Sequence, residues 1–343
     1  MTKTSIIFEN REYNITGWEK KHPGGEQLIL SANNLDITDL FKSYHKTDTL
    51  QYLAYFKSKP VIDKKQYYTF SDTYIYIQGM VDSFIEHKHS FDIVLWLSFI
   101  IYIFNFSNIL SGIMLIILGA YGHQYVHSSS YKASFLTLSG FISNQWRDEH
   151  VYSHHPYTNT CMDIDLVNFM SIDNIPLPSP LRFLLVCIII VFRPFIQYFI
   201  PKYIKRATRL DVIFILYNIF DCYITFGLGW FIKRLIPSVW FLYIDYHNHY
   251  SKGLARKQVS NDWLEQQLLT TQNVVINKFL YNKYPFVHSL LTFGLDRQVE
   301  HHVCPKVKME YFSIVEKVLL SVKIVPRKHF VSWKSVKNIF KTF

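Results

Sequence analysis

The sequence predicts a small α+β domain followed by an α-helical integral membrane domain with about four transmembrane helices and a helical cap on the cytosolic side. Three observations carry this. About the first sixty residues mix short β-branched runs with turn residues, and the rest of the 343-residue chain is built around long apolar blocks. The composition is 49% hydrophobic and 17% aromatic with only 18% charged residues, where an ordinary soluble domain carries about 25% charged. Histidines gather in knots at the edges of the apolar blocks instead of scattering over a surface.

The charge balance narrows the choices. Lys+Arg number 36 against 26 Asp+Glu, a formal +10. In a membrane chain such an excess reads as attraction to an anionic cytoplasmic leaflet of a lipid bilayer. Nucleic acid is excluded as a partner, because no DNA- or RNA-binding motif accompanies the charge. Cys161, Cys187, Cys222 and Cys304 are widely spaced and form no Cys-x-x-Cys pair, so a reducing compartment is expected. The start, Met-Thr-Lys-Thr-Ser, lacks a charged-then-apolar leader. The N-terminal domain is therefore expected to stay in the cytosol.

In order, Ile6-Ile7-Phe8 and Glu12-Tyr13-Asn14-Ile15 read as short strands around a turn at Asn10-Arg11. His22-Pro23-Gly24-Gly25 follows Trp18 and makes a tight turn that presents His22. Asp36 is placed to cap a helix that leads to His45. Two histidines on opposite walls of an apolar pocket can fill both axial positions of a haem iron, which then suits single-electron transfer. The HPGG turn, the Asp-x-Thr-x-x-Phe-x-x-x-His run and the spacing of the two histidines resemble cytochrome b5 over roughly the first 56 residues. That resemblance implies haem b with His22 and His45 as axial ligands. The domains expected are 1–57 for this module, 58–90 for a linker and interfacial segment rich in Lys59, Lys64, Lys65, Lys88 and His89, and 91–343 for the membrane domain.

Ile93–Ala120 is 28 residues without a formal charge. A break at Asn105-Phe106-Ser107-Asn108 predicts a helical hairpin of about 91–106 and 109–127, since about 20 residues cross a bilayer. His123 and His127 then fall at i and i+4 on one helix face. Titratable groups at such a depth are costly and point to function. Phe135–Ser143 reads as interfacial. His150, His154 and His155 lie within six residues, on a helix expected to end before Pro156. Among the next apolar blocks, 183–210 is expected on the cytoplasmic surface, with two crossings between about 211 and 246. This keeps Lys202, Lys205, Arg206 and Arg209 inside. Asn248 and His249 precede a polar stretch leading to Gln298-Val299-Glu300-His301-His302. The Lys-rich tail from 306 to 343 reads as a cytoplasmic helical cap.

Seven histidines with a Gln or Asn can hold two metal ions with positions open for oxygen, although imidazole alone does not choose the metal. An attached one-electron carrier suits oxygen activation, which consumes electrons, and not hydrolysis. The three His clusters downstream of HPGG resemble the cytochrome b5-fusion front-end fatty acid desaturases over nearly the whole chain. Gln298 in the third cluster is the most specific mark. By that resemblance, His123, His127, His150, His154, His155, Gln298, His301 and His302 are ligands or supports of a di-iron centre, and Asn248 or His249 completes it. Gln124 departs from the family, which has Asp there, and this puts efficiency in question.

The resemblance implies insertion of a cis double bond between an existing one and the carboxyl end of a fatty acyl-CoA or phospholipid acyl chain. O2 is consumed, and an NAD(P)H-dependent cytochrome b5 reductase supplies electrons through the haem. The second cluster leans toward desaturases acting five carbons from the carboxyl. The endoplasmic reticulum is the implied location, with the haem domain and His clusters facing the cytosol. A sphingolipid long-chain-base desaturase shares the same motifs. A non-catalytic haem-binding membrane adaptor is the reading of another class.

Overall fold

The computed structural model describes residues 3–62, 65–85, 92–225, 227–332 and 335. Its N-terminal unit is a three-stranded antiparallel sheet of Ser5–Phe8, Arg11–Asn14 and Ser58–Pro60, with Arg11–Asn14 in the middle. The hairpin turns at Glu9 and Asn10, both at positive φ (46° and 61°). A two-residue hairpin needs two left-handed residues, so the turn falls one position before the expected Asn10-Arg11. Ser58–Pro60 pairs with Arg11–Tyr13, which carries the sheet past residue 57.

Ile6, Phe8, Ile15, Ile29, Ile37 and Leu53 form the unit's core. Asp36 sits one residue before the expected cap position: Ile37 is the N-cap of the helix Thr38–Tyr44, which ends on His45, and the Asp36 carboxylate accepts the Thr38 backbone N–H at 3.1 Å from just outside it. Asp72–Phe84 forms the next helix and buries Tyr74, Ile77 and Val81 in the same core as Val315, Val318 and Leu319 of the helix Phe312–Ser321. Of the expected linker, Lys64, Lys88 and His89 lie outside the described residues.

Two apolar hairpins follow. Asp92–Phe104 and Asn108–Val126 turn at Asn105 (φ 47°), and Ser107 caps the second helix by accepting the Leu110 N–H at 3.1 Å. Arg209–Thr225 and Leu228–Asp245 turn at Gly227 (φ 113°). The helix Ser179–Phe199 packs against Leu228–Asp245.

Among the described residues only Asn108–Val126 is both long and apolar enough to cross a bilayer, and most of it is buried. Asp92–Phe104, at about 1.5 Å per residue, reaches roughly 20 Å of the roughly 30 Å of hydrocarbon. The expected four spans thus do not emerge as four full-length ones among the described residues. One reason lies inside the second hairpin, where Asp221, Lys233 and Arg234 dilute the apolar run. All three are buried; Lys233 Nζ lies 2.5 Å from Asp221 Oδ1, and the Arg234 guanidinium donates to Asn218 Oδ1 at 2.6 Å.

Three further expectations need correction. Phe135–Leu138 is a single helical turn buried in the main core, not an interfacial piece, because Trp96, Phe99 and Phe214 close over Phe135. The second His cluster does not stop before Pro156. A π-helical turn, His150–His154, closes with the His155 N–H bonded to His150 O, and Pro156 then opens the short helix His155–Tyr157. Proline is tolerated there because no backbone donor is needed at the first turn. The C-terminal region is not purely helical either: Lys328–Phe330 pairs in parallel with Asn273–Val275.

Candidate metal centre

Four elements converge below the hairpins: the end of Asn108–Val126, the π turn at His150–His154, a second π turn at Tyr246–Tyr250, and the short helix Gln298–Val303. Such wide turns cluster at functional sites because they re-aim side chains that an α-helix would space evenly. Donor nitrogens of His123, His127, His150 and His301 lie within 4.8 Å of one another, and so do those of His154, His249 and His302. His155 stands between the groups. Its ring centroid is 4.6 Å from that of His301 and 4.3 Å from that of His302, and its Nε2 is 3.0 Å from His150 Nε2. The Gln298 amide lies 2.9 Å from His249 Nε2 and 3.1 Å from His302 Nε2.

Every histidine singled out in the three clusters is therefore brought together, along with Gln298. Of the alternatives Asn248 and His249, it is His249 that joins a group. The Asn248 amide donates instead to Leu295 O at 2.9 Å.

The outward-facing nitrogens are held by partners that fix ring orientation, as around bound metals. His123 Nδ1 is 3.3 Å from Phe293 O, His154 Nδ1 3.0 Å from Asp163 Oδ2, and His302 Nδ1 2.9 Å from Gln267 Oε1. Thr158 Oγ1 adds a contact to His302 Nδ1 at 3.1 Å. Phe293 pays for its carbonyl's aim with a left-handed backbone (φ 59°), which costs a non-glycine residue about 1–2 kcal/mol. Tyr44 Oη, from the N-terminal unit, lies 2.6 Å from His127 Nδ1.

Sequence reasoning assigned no role to Asp163, Gln267, Thr158 or Tyr44. Asp163 lies nine residues from its histidine, Gln267 lies 35, and Tyr44 lies 83, so no local spacing announces them. The departure at Gln124 has a structural partner: its Oε1 accepts the Met309 backbone N–H at 3.1 Å.

Electrostatics favour the ligand form of imidazole. Burial, reinforced by neighbouring imidazoles, pushes His150, His155, His301 and His302 well below the usual histidine value, so they are neutral. His154 behaves differently. Burial again works against its charged form, but Asp163, with Asp165 and Asp245 beyond, raises it to about 9.

His301 supplies the fit test for a metal. It is 2% exposed, and neither ring nitrogen has a hydrogen-bond partner. Leaving such atoms bare costs about 1–3 kcal/mol each, and a metal ion among four imidazoles removes that cost at one of the two. The donor set suits iron, copper or zinc.

The second candidate group is His22 and His45, whose ring centroids lie 5.9 Å apart. Two metal–imidazole bonds of roughly 2 Å, on opposite sides of one ion, fill that gap. His45 Nδ1 lies 3.1 Å from Phe41 O, so an Nδ1–H donor there keeps Nε2 free to coordinate. The pair fits haem.

A narrow cavity is lined by His123, His150, His154 and Gln298 on the histidine side and by Gly119, Phe141, Phe241, Phe293 and Arg234 among the helices. Its wall is mostly apolar, with Phe141, Trp146, Phe241 and Phe293 among aliphatic residues and Asp165, Asp245 and Arg234 as charged exceptions, and it suits an apolar chain.

Two buried imidazole groups beside a mostly apolar cavity, with a bis-histidine module packed against them, mark a protein built to hold metal, the arrangement of an oxidoreductase. Comparison with known proteins agrees. Residues 100–322 match the fatty acid desaturase family, and residues 3–81 match the cytochrome b5-like heme/steroid binding domain. The chain belongs to the fatty acid desaturase family.

It is similar to fatty acid desaturase 3 of Homo sapiens, at 22% identity over 96% of this chain and 85% of that protein. It is also similar to a probable Delta(5) fatty acid desaturase C of Dictyostelium discoideum, at 21% identity over 92% and 85% respectively. A shorter match, 32% identical, joins it to acyl-lipid (8-3)-desaturase B of the same organism, over 19% of this chain and 16% of that protein.

Proposed function

We propose that this chain is a membrane-bound front-end fatty acid desaturase. It takes an unsaturated fatty acyl-CoA or phospholipid acyl chain and introduces a cis double bond between an existing one and the carboxyl end. The observation that carries the reading is His301, buried with two unpartnered nitrogens where three other imidazoles meet. His123, His127, His150, His155 and His301 would hold one iron, and His154, His249 and His302, with Gln298 beside them, the other. When bound, the irons supply O2 activation. The balance is one O2, two substrate hydrogens, two electrons and two protons, giving two waters and one C=C bond.

The chain's own residues do the rest. The mostly apolar cavity would accept the acyl tail and exclude water, so the scissile C–H bonds would stop at the imidazole end. Asp163, Gln267 and Phe293 O keep the rings aimed. The haem module runs past 57 to take in the strand Ser58–Pro60, a connector follows to about residue 90, and the membrane domain begins at 91. Outward apolar residues such as Ile213, Leu216, Phe220 and Ile224 on Arg209–Thr225 form a lipid-facing side. The endoplasmic reticulum, with the histidines toward the cytosol, is the setting in which an NAD(P)H-dependent cytochrome b5 reductase reaches His22 and His45.

The test is expression in yeast fed a panel of polyunsaturated acids, with chromatography of acyl chains and sphingoid bases. The purified protein is assayed for haem and non-haem iron. A new acyl double bond toward the carboxyl end, with about two irons per chain, is the expected result. A new double bond in sphingoid bases alone would move the substrate class. Haem without further iron and without product would overturn the enzyme reading.

A further inference from the structure

We propose that Tyr44 is the positioning residue that couples the haem module to the histidine centre, holding His127 and giving electrons a continuous bonded route between the two; this rests on the desaturase reading above. Tyr44 is the residue immediately before His45 on the helix Thr38–Tyr44. Its hydroxyl crosses the domain boundary to His127 Nδ1 at 2.6 Å. His127 Nε2 is buried and has no hydrogen-bond partner, and its ring centroid lies 4.8 Å from that of His301. With Nε2 turned to the metal group, the Nδ1–H donates to the Tyr44 oxygen. One peptide link, one side chain and one hydrogen bond therefore join a haem-binding imidazole to a metal-binding one.

The contact is built, not incidental. The Ser43 carbonyl, next to Tyr44, accepts from Gln78 Nε2 at 2.9 Å and from Tyr74 Oη at 3.1 Å. On the other side of the haem cleft the Ser129 N–H, two residues after His127, donates to Gly24 O at 3.1 Å. Gly25 lies so close to Ser129 that a Cβ has no room. The HPGG turn that presents His22 is thus clamped to the segment that follows His127. Both walls of the haem cleft are fixed against the metal-binding helix.

Phenylalanine at 44 would fill the same space but leave His127 Nδ1 without a partner. The ring would lose its aim, and the bonded route would become a gap. Each electron passed oxidises the haem by one unit and reduces the metal group by one. The reductase replaces it from NAD(P)H, O2 is the final acceptor, and Tyr44 keeps its proton.

The experiment uses the full-length protein with its haem reduced under argon by reductase and NADH, then mixed with oxygenated buffer and acyl substrate. Haem absorbance reports reoxidation. In Tyr44→Phe the reoxidation rate is expected to fall roughly tenfold, the rate equivalent of one lost hydrogen bond, with the haem midpoint potential unmoved. The ratio of reductase-driven to dithionite-driven product falls with it, a change that mere loss of folded protein does not produce. Should Tyr44→Phe fail to load iron, Ser129→Leu wedges the same boundary from the other side and is expected to slow haem reoxidation likewise. Reoxidation at the wild-type rate in an iron-loaded variant overturns the coupling role. Wild-type protein that makes no product at all defeats the desaturase reading instead, so the two failures are separable.

Discussion

Asp163 Oδ2 lies 3.0 Å from His154 Nδ1, with both side chains buried. The same carboxylate oxygen accepts the Asn159 backbone N–H at 2.8 Å, and Oδ1 accepts that of Asp165 at 2.9 Å. The carboxylate is thus held in place by two backbone donors before it meets the imidazole. It fixes the ring and, on metal binding, makes the other nitrogen a stronger donor. Partners of this kind are worth about 10–100-fold in metal affinity or activity. We predict that Asp163→Asn lowers non-haem iron content and activity by a factor in that range, while the haem spectrum stays intact. Iron assay beside the haem spectrum checks this; full iron loading in the variant would remove Asp163 from the site.

Gly119 and Phe293 set the bore of the cavity proposed for the acyl tail. A Cβ on Gly119 would meet the Phe293 ring at 2.7 Å and Ser139 Oγ at 3.3 Å. The ring cannot retreat freely, because the Phe293 backbone also aims a carbonyl at His123. Gly119→Ala is therefore expected to destabilise by about 1–3 kcal/mol through overpacking and to push the ring into the cavity. In the yeast feeding assay, products from the longest acids should fall more than those from shorter ones. An unchanged chain-length profile would place the acyl tail elsewhere.

How far the sequence reaches is visible in these two cases. The ligand-type histidines were legible because each pair or triplet is local: i, i+4 on one helix, or adjacent residues. HPGG and His45 were legible for the same reason. The residues that aim the rings were not, because Gln267 and Phe293 O meet their histidines only through tertiary packing. The break at Asn105–Ser107 marked the first hairpin. Asp221 and Lys233 obscured the second, since an ion pair reads as two charges until its partners are seen together. The π turns leave no trace in apolar periodicity, and so the helix was expected to stop before Pro156.

Asp39 gives a pH dependence with a definite sign. It is buried in the haem module and accepts the Tyr68 backbone N–H at 3.1 Å. Burial raises its pKa from 3.8 to about 7, with the hydrogen bond from Tyr68 and the Lys42 charge opposing. The folded state therefore holds this proton more tightly than the unfolded chain. Its stabilisation is complete below about pH 4 and is lost as pH rises toward 7, by up to about 4 kcal/mol. Asp39→Asn, neutral at every pH, should flatten this part of the profile and be more stable than wild type at pH 8. Melting followed by haem absorbance between pH 4 and 8 measures it. Parallel profiles for the two proteins would show that Asp39 titrates normally.

Gln124 occupies the position where the resemblance led us to expect Asp, and restoring the acid is the obvious repair. The structure argues that it is no repair. The Gln124 oxygen reaches the Met309 N–H at 3.1 Å, beside a small cavity shared with His127, His301 and Phe312. Aspartate is one methylene shorter, so it would lose that bond and place a charge where burial disfavours it. We predict that Gln124→Asp melts earlier, by about 1–3 kcal/mol, and makes no more product than wild type. Gln124→Glu keeps the reach and adds only the charge, so it separates the two causes: a milder loss there assigns the larger share to the bond with Met309. A gain of activity in Gln124→Asp would mean that this position orients a ring and does not anchor the chain after the third cluster.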